Sequence, residues 1–283
     1  MKLCASIYNL KNLNKLINVI DCAILNSKEY SLIYDDLDLQ VAYNLCLNNN
    51  IMPIIAVNKM LYEDDLDKID DLFNKYKNAY FLATDLAVYK IALKYNMVNK
   101  VIYDPETMIT NYLDLNEYYS FGFNACSMSL EIPINDVIDS IKKTNAKVFM
   151  QIFGHRRMFY SKRHLLSLYE KKANIKIKTN NLYIKEINRN EFFPIIENNN
   201  GTTIYRDYLI SYIDNINDLN LEYGYLESLY LDDNKFVNVC KIYKDYLENV
   251  ISLENAKNKI NELFFNIKDG FKYQDSIYQK ELF

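Results

Sequence analysis

The residues best suited to chemistry crowd into one short segment, Gln151-Ile152-Phe153-Gly154-His155-Arg156-Arg157-Met158-Phe159-Tyr160-Ser161-Lys162-Arg163-His164-Leu165-Leu166-Ser167. It holds both histidines of the chain, one of its five glycines and three of its few arginines. Guanidinium groups can grip a carboxylate or phosphate through paired hydrogen bonds. His155 and His164 carry the only side chains whose ordinary pKa lies near neutrality, which suits proton transfer. Ser161 lacks the strained Gly-x-Ser-x-Gly turn of an activated serine, so a serine hydrolase is weakly supported. The segment follows a predicted strand and reads as an active-site loop. The alternative for Arg163 and His164 is that they begin a helix and pack locally.

A second set of candidates comes from polar residues just past predicted strands. These are Asn58, Asp85, Asn111, Glu131 and the run from Gln151 to Arg157, joined by Glu227 within the last strand. In a parallel barrel they would line one mouth, where the strand C-termini gather. The plainer reading is that Asp85 caps its helix and that Asn58 and Asn111 are turn residues of an Asn-rich chain. Glu131 sits in Ser129-Leu130-Glu131-Ile132-Pro133-Ile134, where Pro133 can start a helix and leave the carboxylate outside it. Facing the arginines, it would act as an acid or base, or hold a guanidinium in place.

The elements that must position these groups follow from periodicity. Apolar β-compatible runs at residues 3–7, 22–25, 53–57, 80–83, 101–103, 123–127 and 148–152 alternate with amphipathic stretches such as 37–47, 64–76, 86–95 and 134–143. Strands separated by helices predict a parallel sheet of βαβ units. After a helix at 165–171 the pattern changes to short strands at 175–178, 182–185, 192–196 and 202–205, with Asn198-Asn199-Asn200-Gly201 as a turn. An eighth strand at 226–231 and helices at 235–248 and 253–265 complete the pattern. The fold expected is an α/β, TIM-like (β/α) barrel in a single domain, 1–283, with a small antiparallel β insertion at 172–210 between strands seven and eight.

Composition narrows the function. With half of its residues apolar the chain can build a large core, and its formal charge of −4 argues against indiscriminate nucleic-acid binding while allowing a local basic patch. No apolar run approaches the roughly 18 residues of a membrane span and nothing at the N-terminus reads as a signal peptide, so the cytoplasm is expected. Cys4, Cys22, Cys46, Cys126 and Cys240 are scattered without a CxxC pair and read as free buried thiols.

The segment Phe153 to Leu165 resembles the signature of the U32 peptidase family, the collagenase-like proteins. Other pieces agree in order: Asn58 after its strand, Ser129-Leu130-Glu131-Ile132, Phe193-Pro194-Ile195-Ile196-Glu197 with Gly201-Thr202, Leu226-Glu227-Ser228, and Asp269-Gly270-Phe271. The resemblance covers nearly the whole chain and implies a barrel-like catalytic domain carrying the β insertion. It also implies two kinds of activity, since the family includes proteins described as peptidases and others that hydroxylate tRNA or rRNA bases. Several of the latter hold a four-cysteine iron–sulfur cluster, and some work as heteromeric pairs. Here His164 stands where a signature Cys is expected, so the cluster is expected to be absent and no cofactor is predicted, with a divalent metal left open. The expectation is a collagenase-like peptidase in which Glu131 and His155 do acid–base work. Substrate contacts are expected from Asn58, Asp85, Asn111, Gln151, Arg156, Arg157, Tyr160, Ser161, Arg163, His164, Glu197 and Glu227. The alternative is a tRNA or rRNA base-hydroxylation enzyme, or a clusterless partner subunit of one. The partners implied are a peptide or structured RNA and, for a partner subunit, a larger family member.

Overall fold

The computed structural model describes residues 1–177 and 182–274. Short apolar runs buried on both faces make the barrel strands β1 (Lys2–Ile7), β2 (Cys22–Leu25), β3 (Met52–Val57), β4 (Tyr80–Ala83), β5 (Val101–Tyr103), β6 (Ala125–Ser127) and the start of β7 (Val148–Ser161). Strands β8 (Leu182–Ile184), β9 (Phe193–Asn198) and β10 (Gly201–Ser211) follow, and then β11 (Tyr223–Leu226). Each of β1 to β6 pairs in parallel with the next, and β11 pairs in parallel with both β7 and β1. That double pairing closes an eight-stranded ring and leaves β8, β9 and β10 outside it.

The helices α1 (Leu10–Leu16), α2 (Leu39–Asn48), α3 (Glu63–Lys75), α4 (Ala87–Lys94), α5 (Tyr112–Ser120) and α6 (Ile134–Lys143) cross between barrel strands, α7 (Leu165–Ala173) lies in the insertion, and α8 (Asp233–Leu247) and α9 (Leu253–Leu263) follow the last strand. In α6 the buried face is Ile134, Val137 and Ile141, the spacing of an amphipathic helix. Asn9, Asp38, Asn111, Asp232 and Ser252 cap their helices by accepting from backbone N–H groups one turn in. Helices α1 and α5 have no counterpart in the sequence pattern, α1 because it is only seven residues long and α5 because its tyrosine-rich run has just Leu115 buried.

Period-two alternation splits the barrel residues between two cores. Leu3, Ala5 and Ile7 face the helices and pack with Leu13 and Leu16, whereas Cys4, Ile24, Ile54, Leu82, Ile102 and Phe149 fill the interior of the ring. No helix among the described residues is long and apolar enough to cross a membrane.

Four expectations change. The eighth barrel strand is Tyr223–Leu226, not 226–231, so Glu227 lies past its end. Gly224 permits this placement because the side chains of Ile152 and Met1 approach where a Cβ would sit. Residues 153–161, read as a loop, are instead the second half of β7, which turns at Gly154 (φ +113°) and runs antiparallel to β10 with bulges between Ile204 and Leu209. The β insertion therefore begins at that turn, ahead of residue 172, and β10 continues to Ser211. At the expected strand 175–178, residues 175–177 are not a strand, and Lys178 lies outside the described residues.

Candidate functional site

Toward the strand C-termini the inward positions change from apolar to polar. The interior of β1 passes from Cys4 to Ser6, β6 from Ala125 to Ser127, β7 from Phe149 to Gln151, and β11 from Tyr223 through Tyr225 to Glu227. Asn26, Asn58 and Asp104 follow β2, β3 and β5 at the same level, and the β7–β10 arm adds His155, Arg156, Arg157 and Tyr205. Together these groups enclose a cavity of about 100 Å³.

Two devices aim the arm at this cavity. Gly154 bends β7 with so little room that a Cβ there would meet the carbonyl oxygen of Glu227 at 2.5 Å. Gln151 then locks the bend, its Nε2 donating to the carbonyls of Phe153 (3.3 Å) and His155 (3.0 Å).

Glu227 is held by four donors. Ser6 Oγ (2.8 Å), Tyr8 OH (3.1 Å) and the Leu229 N–H (2.9 Å) donate to Oε1, and Tyr225 OH donates to Oε2. Burial and the neighbouring Glu227 charge push the Tyr8 and Tyr225 hydroxyls well above the ordinary tyrosine range, so both stay protonated as donors. Across the cavity Asp104 Oδ1 accepts from Ser127 Oγ (2.6 Å) and from the Glu106 N–H (3.1 Å). Burial raises its pKa, and the Ser127 bond with the Arg157 and Arg156 charges offsets only part of that rise.

The adjacent arginines differ. Arg157 makes a two-point pair with Glu106, Nε donating to Oε2 at 3.0 Å and Nη2 reaching Oε1. Glu106 adopts a left-handed backbone (φ +61°), uncommon outside glycine and of the kind found at functional sites. Arg156 is only 8% exposed, its Nε has no hydrogen-bond partner, and no carboxylate among the described residues pairs with it. Burial lowers its pKa, opposed by the charges of Glu131, Tyr212 and Asp104. A buried cation without a hydrogen-bonded counterion is costly, so its site is electrostatically prepared for an anion.

His155 places Nδ1 3.0 Å from the Arg206 carbonyl. A carbonyl only accepts, so Nδ1 carries the proton and Nε2 is the acceptor. Burial lowers the pKa against the pull of the Arg206 carbonyl and Asp207, which makes the ring neutral at neutral pH.

The candidate residues thus divide. Asn58, Gln151, His155, Arg156, Arg157 and Glu227 surround the cavity, with Asn58 Oδ1 also accepting from the Leu32 N–H at 2.8 Å. Glu131 is exposed and outside the cavity wall. Asp85 accepts from the Ala87 N–H at the start of α4, and Asn111 caps α5 through the Leu113 and Asp114 N–H groups. Tyr160 donates to the Asn200 carbonyl, Ser161 Oγ accepts from the Arg163 N–H, and Arg163 is exposed. His164 precedes α7, 3.8 Å from Glu197, whose carboxylate accepts from the Leu166 and Ser167 N–H groups and from Thr202. This last set fastens α7 to the arm and forms none of the cavity wall. Sequence reasoning missed Asn26, Asp104, Glu106, Ser127, Tyr205 and Tyr225. Asp104 was detectable, because it is the first residue past β5.

Among the described residues no three His, Cys, Asp or Glu side chains converge on a common point. The five cysteines are buried and dispersed, and burial raises the thiols of Cys46 and Cys126 to about 12. Such residues do not fit the four thiolates of an iron–sulfur cluster.

Comparison with known proteins agrees with this architecture. The model of peptidase family U32 matches residues 28–276. The tRNA hydroxylation protein P2 of Bacillus subtilis (strain 168) is 22% identical over 260 residues, covering 81% of this chain and 84% of that protein. The solved structure of the U32 peptidase Mk0906 superposes with a TM-score of 0.51 at 8% identity, covering 80% of this chain and 92% of that one. At such low identity the superposition speaks for the barrel fold alone.

Proposed function

The chain belongs to peptidase family U32, and from the chemistry of its barrel mouth we propose that it acts in the hydroxylation of an RNA base, with tRNA as the substrate class. The observation that carries this reading is Arg156, a buried cation with no hydrogen-bonded counterion among the described residues, at the wall of the cavity. Beside it stand the paired Arg157 and the rings of Tyr205 and Tyr225. Cations that meet phosphate next to aromatic faces that stack on bases are the recurring means of holding unpaired nucleotides. A cavity of about 100 Å³ suits one ring and not a helix, so the reacting base would leave its stack to enter. In this reading Arg156 meets the anion, the tyrosines flank the base, and Asp104 and neutral His155 offer hydrogen-bond acceptors to its edge. The similarity to a protein named for tRNA hydroxylation supports the same conclusion.

Peptide hydrolysis is served less well. Glu131 stands outside the cavity wall while His155 stands in it, and His155 has no neighbouring Ser or Cys nucleophile to activate among its hydrogen bonds. The test is mass spectrometry of tRNA nucleosides from source cells that lack the gene, complemented with the natural chain or with Arg156→Met. A hydroxylated nucleoside that disappears on deletion, returns with the natural chain and stays absent with the variant supports the reading. An unchanged nucleoside profile on deletion overturns it.

A further inference from the structure

Charge is distributed unevenly along the chain. Residues 162–192 carry eight Lys and Arg against three Glu, whereas the whole chain carries 33 basic against 37 acidic residues, so the remainder is acidic. In the fold this basic stretch is the outer part of the insertion, α7 and the strand β8 that pairs with β9 outside the barrel ring. Helix α7 buries none of its nine residues. It is held by its first turn, where the Leu166 and Ser167 N–H groups donate to Glu197, and every residue from Lys171 to Lys176 at its far end is exposed. The element is thus fastened to the fold without contributing to its core.

Two of its three carboxylates are engaged within it, Glu170 accepting from the Ile177 N–H and Glu186 pairing with Arg189 at 3.0 Å. Lys171, Lys172, Lys176 and Lys185 are exposed and make no ion pair among the described residues. Three rings of the same stretch are also open, Tyr169, Tyr183 and Phe192 being 57%, 54% and 55% exposed, and the Lys185 ammonium lies 5.0 Å from the Phe192 ring centroid. Free cations interleaved with open rings suit a polyanion whose bases can stack. A two-fold contact between copies of the chain would instead set this positive surface against itself, which is repulsive. We propose that the insertion grips the backbone of the RNA, apart from the base that enters the barrel mouth. Lys171, Lys172, Lys176 and Lys185 meet phosphates, and Tyr169, Tyr183 and Phe192 stack on unpaired bases. The inference rests on the RNA reading above and adds to it a surface that favours a polynucleotide over a free nucleotide.

Fluorescence anisotropy of labelled tRNA with the full chain, across roughly 50–200 mM salt, tests it. The natural chain is compared with a quadruple variant, Lys171→Gln, Lys172→Gln, Lys176→Gln and Lys185→Gln, in which every change is exposed. The plot of log affinity against log salt is expected to lose about 3 from its slope, roughly 0.7–0.9 for each phosphate contact removed, and binding near physiological salt to weaken roughly 10- to 100-fold. Tyr169→Ser with Phe192→Ser is expected to weaken binding roughly fivefold or more at every salt concentration with the slope unchanged. Arg156→Met, a single cation at the mouth, should remove at most about 1 from the slope. A quadruple variant that keeps the natural slope, or a ring variant that keeps the natural affinity, overturns this inference and leaves the RNA reading standing. A natural chain that binds no tRNA even at low salt overturns both. A concentration-dependent dimer of the RNA-free chain that the ring variant dissociates would assign the surface to a second copy and overturn the proposal.

Discussion

The two ends of the barrel interior are made by the same strands, two residues apart, yet they spend their side chains differently. At the N-terminal end Cys4, Ile24, Ile54, Leu82, Ile102, Ala125 and Phe149 fill the ring with apolar volume. At the other end the next inward positions are Ser6, Ser127, Gln151 and Tyr225, and the arm brings Arg156 over them with no hydrogen-bonded counterion among the described residues. The closed end contributes stability through burial. The open end gives some of it up, because a buried cation without a hydrogen-bonded counterion is retained where an apolar side chain would cost less. One strand thus serves both ends: Phe149 packs the core, and seven residues later β7 delivers Arg156 to the mouth.

The comparison is sharpest where a change touches only one end. Ile54→Ala removes a fully buried side chain from the closed end and is expected to cost about 2–5 kcal/mol in urea denaturation, with the mouth chemistry altered only through lost folded protein. A loss below about 1 kcal/mol would mean that the closed end is not the stabilising one. Gly154→Ala strikes the junction, where positive φ and the Glu227 carbonyl both oppose a Cβ. A loss of about 2–3 kcal/mol is expected, together with loss of tRNA binding as the arm is displaced. Retained binding at full affinity would separate the arm from the site.

The smallest effect is a pH dependence of the open end. His155 has a folded pKa below its ordinary value of about 6.5, so its contribution to stability is present above that value and is lost as pH falls through the folded one. Denaturation midpoints of the natural chain should therefore fall more between pH 7 and pH 5 than those of His155→Asn, by at most about 1.4 kcal/mol per pH unit for one proton. Equal slopes would mean that the ring is not held neutral. Asp104 has the opposite sign. Its raised folded pKa makes its contribution largest below the ordinary carboxylate range and lost as pH rises through the folded value, so an Asp104→Asn control separates the two.

Seven barrel strands were legible in the sequence because they are buried on both faces and read as short apolar runs, as at Pro53 to Val57, whereas the eighth, Tyr223-Gly224-Tyr225-Leu226, is no such run and was expected at 226–231. Helix α6 was legible to the residue because Ile134, Val137 and Ile141 keep one face. The arm was not. Residues 154–161 are a strand only because β10, some fifty positions later, pairs with them, and no local signal in an arginine-rich run reports a distant partner. The same division runs through the site. Gln151, His155, Arg156, Arg157 and Asn58 stood out by type and by place past a strand, and Glu227 as a carboxylate expected within the last strand, and they meet at one cavity. Asp85 and Asn111 obeyed the same rule, but their carboxylate and amide oxygens are spent on their own helices. Tyr205 could not be found at all, because its position depends on the bulges of β10.

The most direct measurement is the urea denaturation midpoint of Arg156→Met beside that of the natural chain, both free of RNA. If Arg156 is a buried cation waiting for an anion, replacing it with an apolar side chain of similar length should stabilise the free protein by about 1–3 kcal/mol. A variant destabilised by a comparable amount would show that Arg156 already has its counterpart within the fold, and would contradict the account of the mouth as an anion-receiving site.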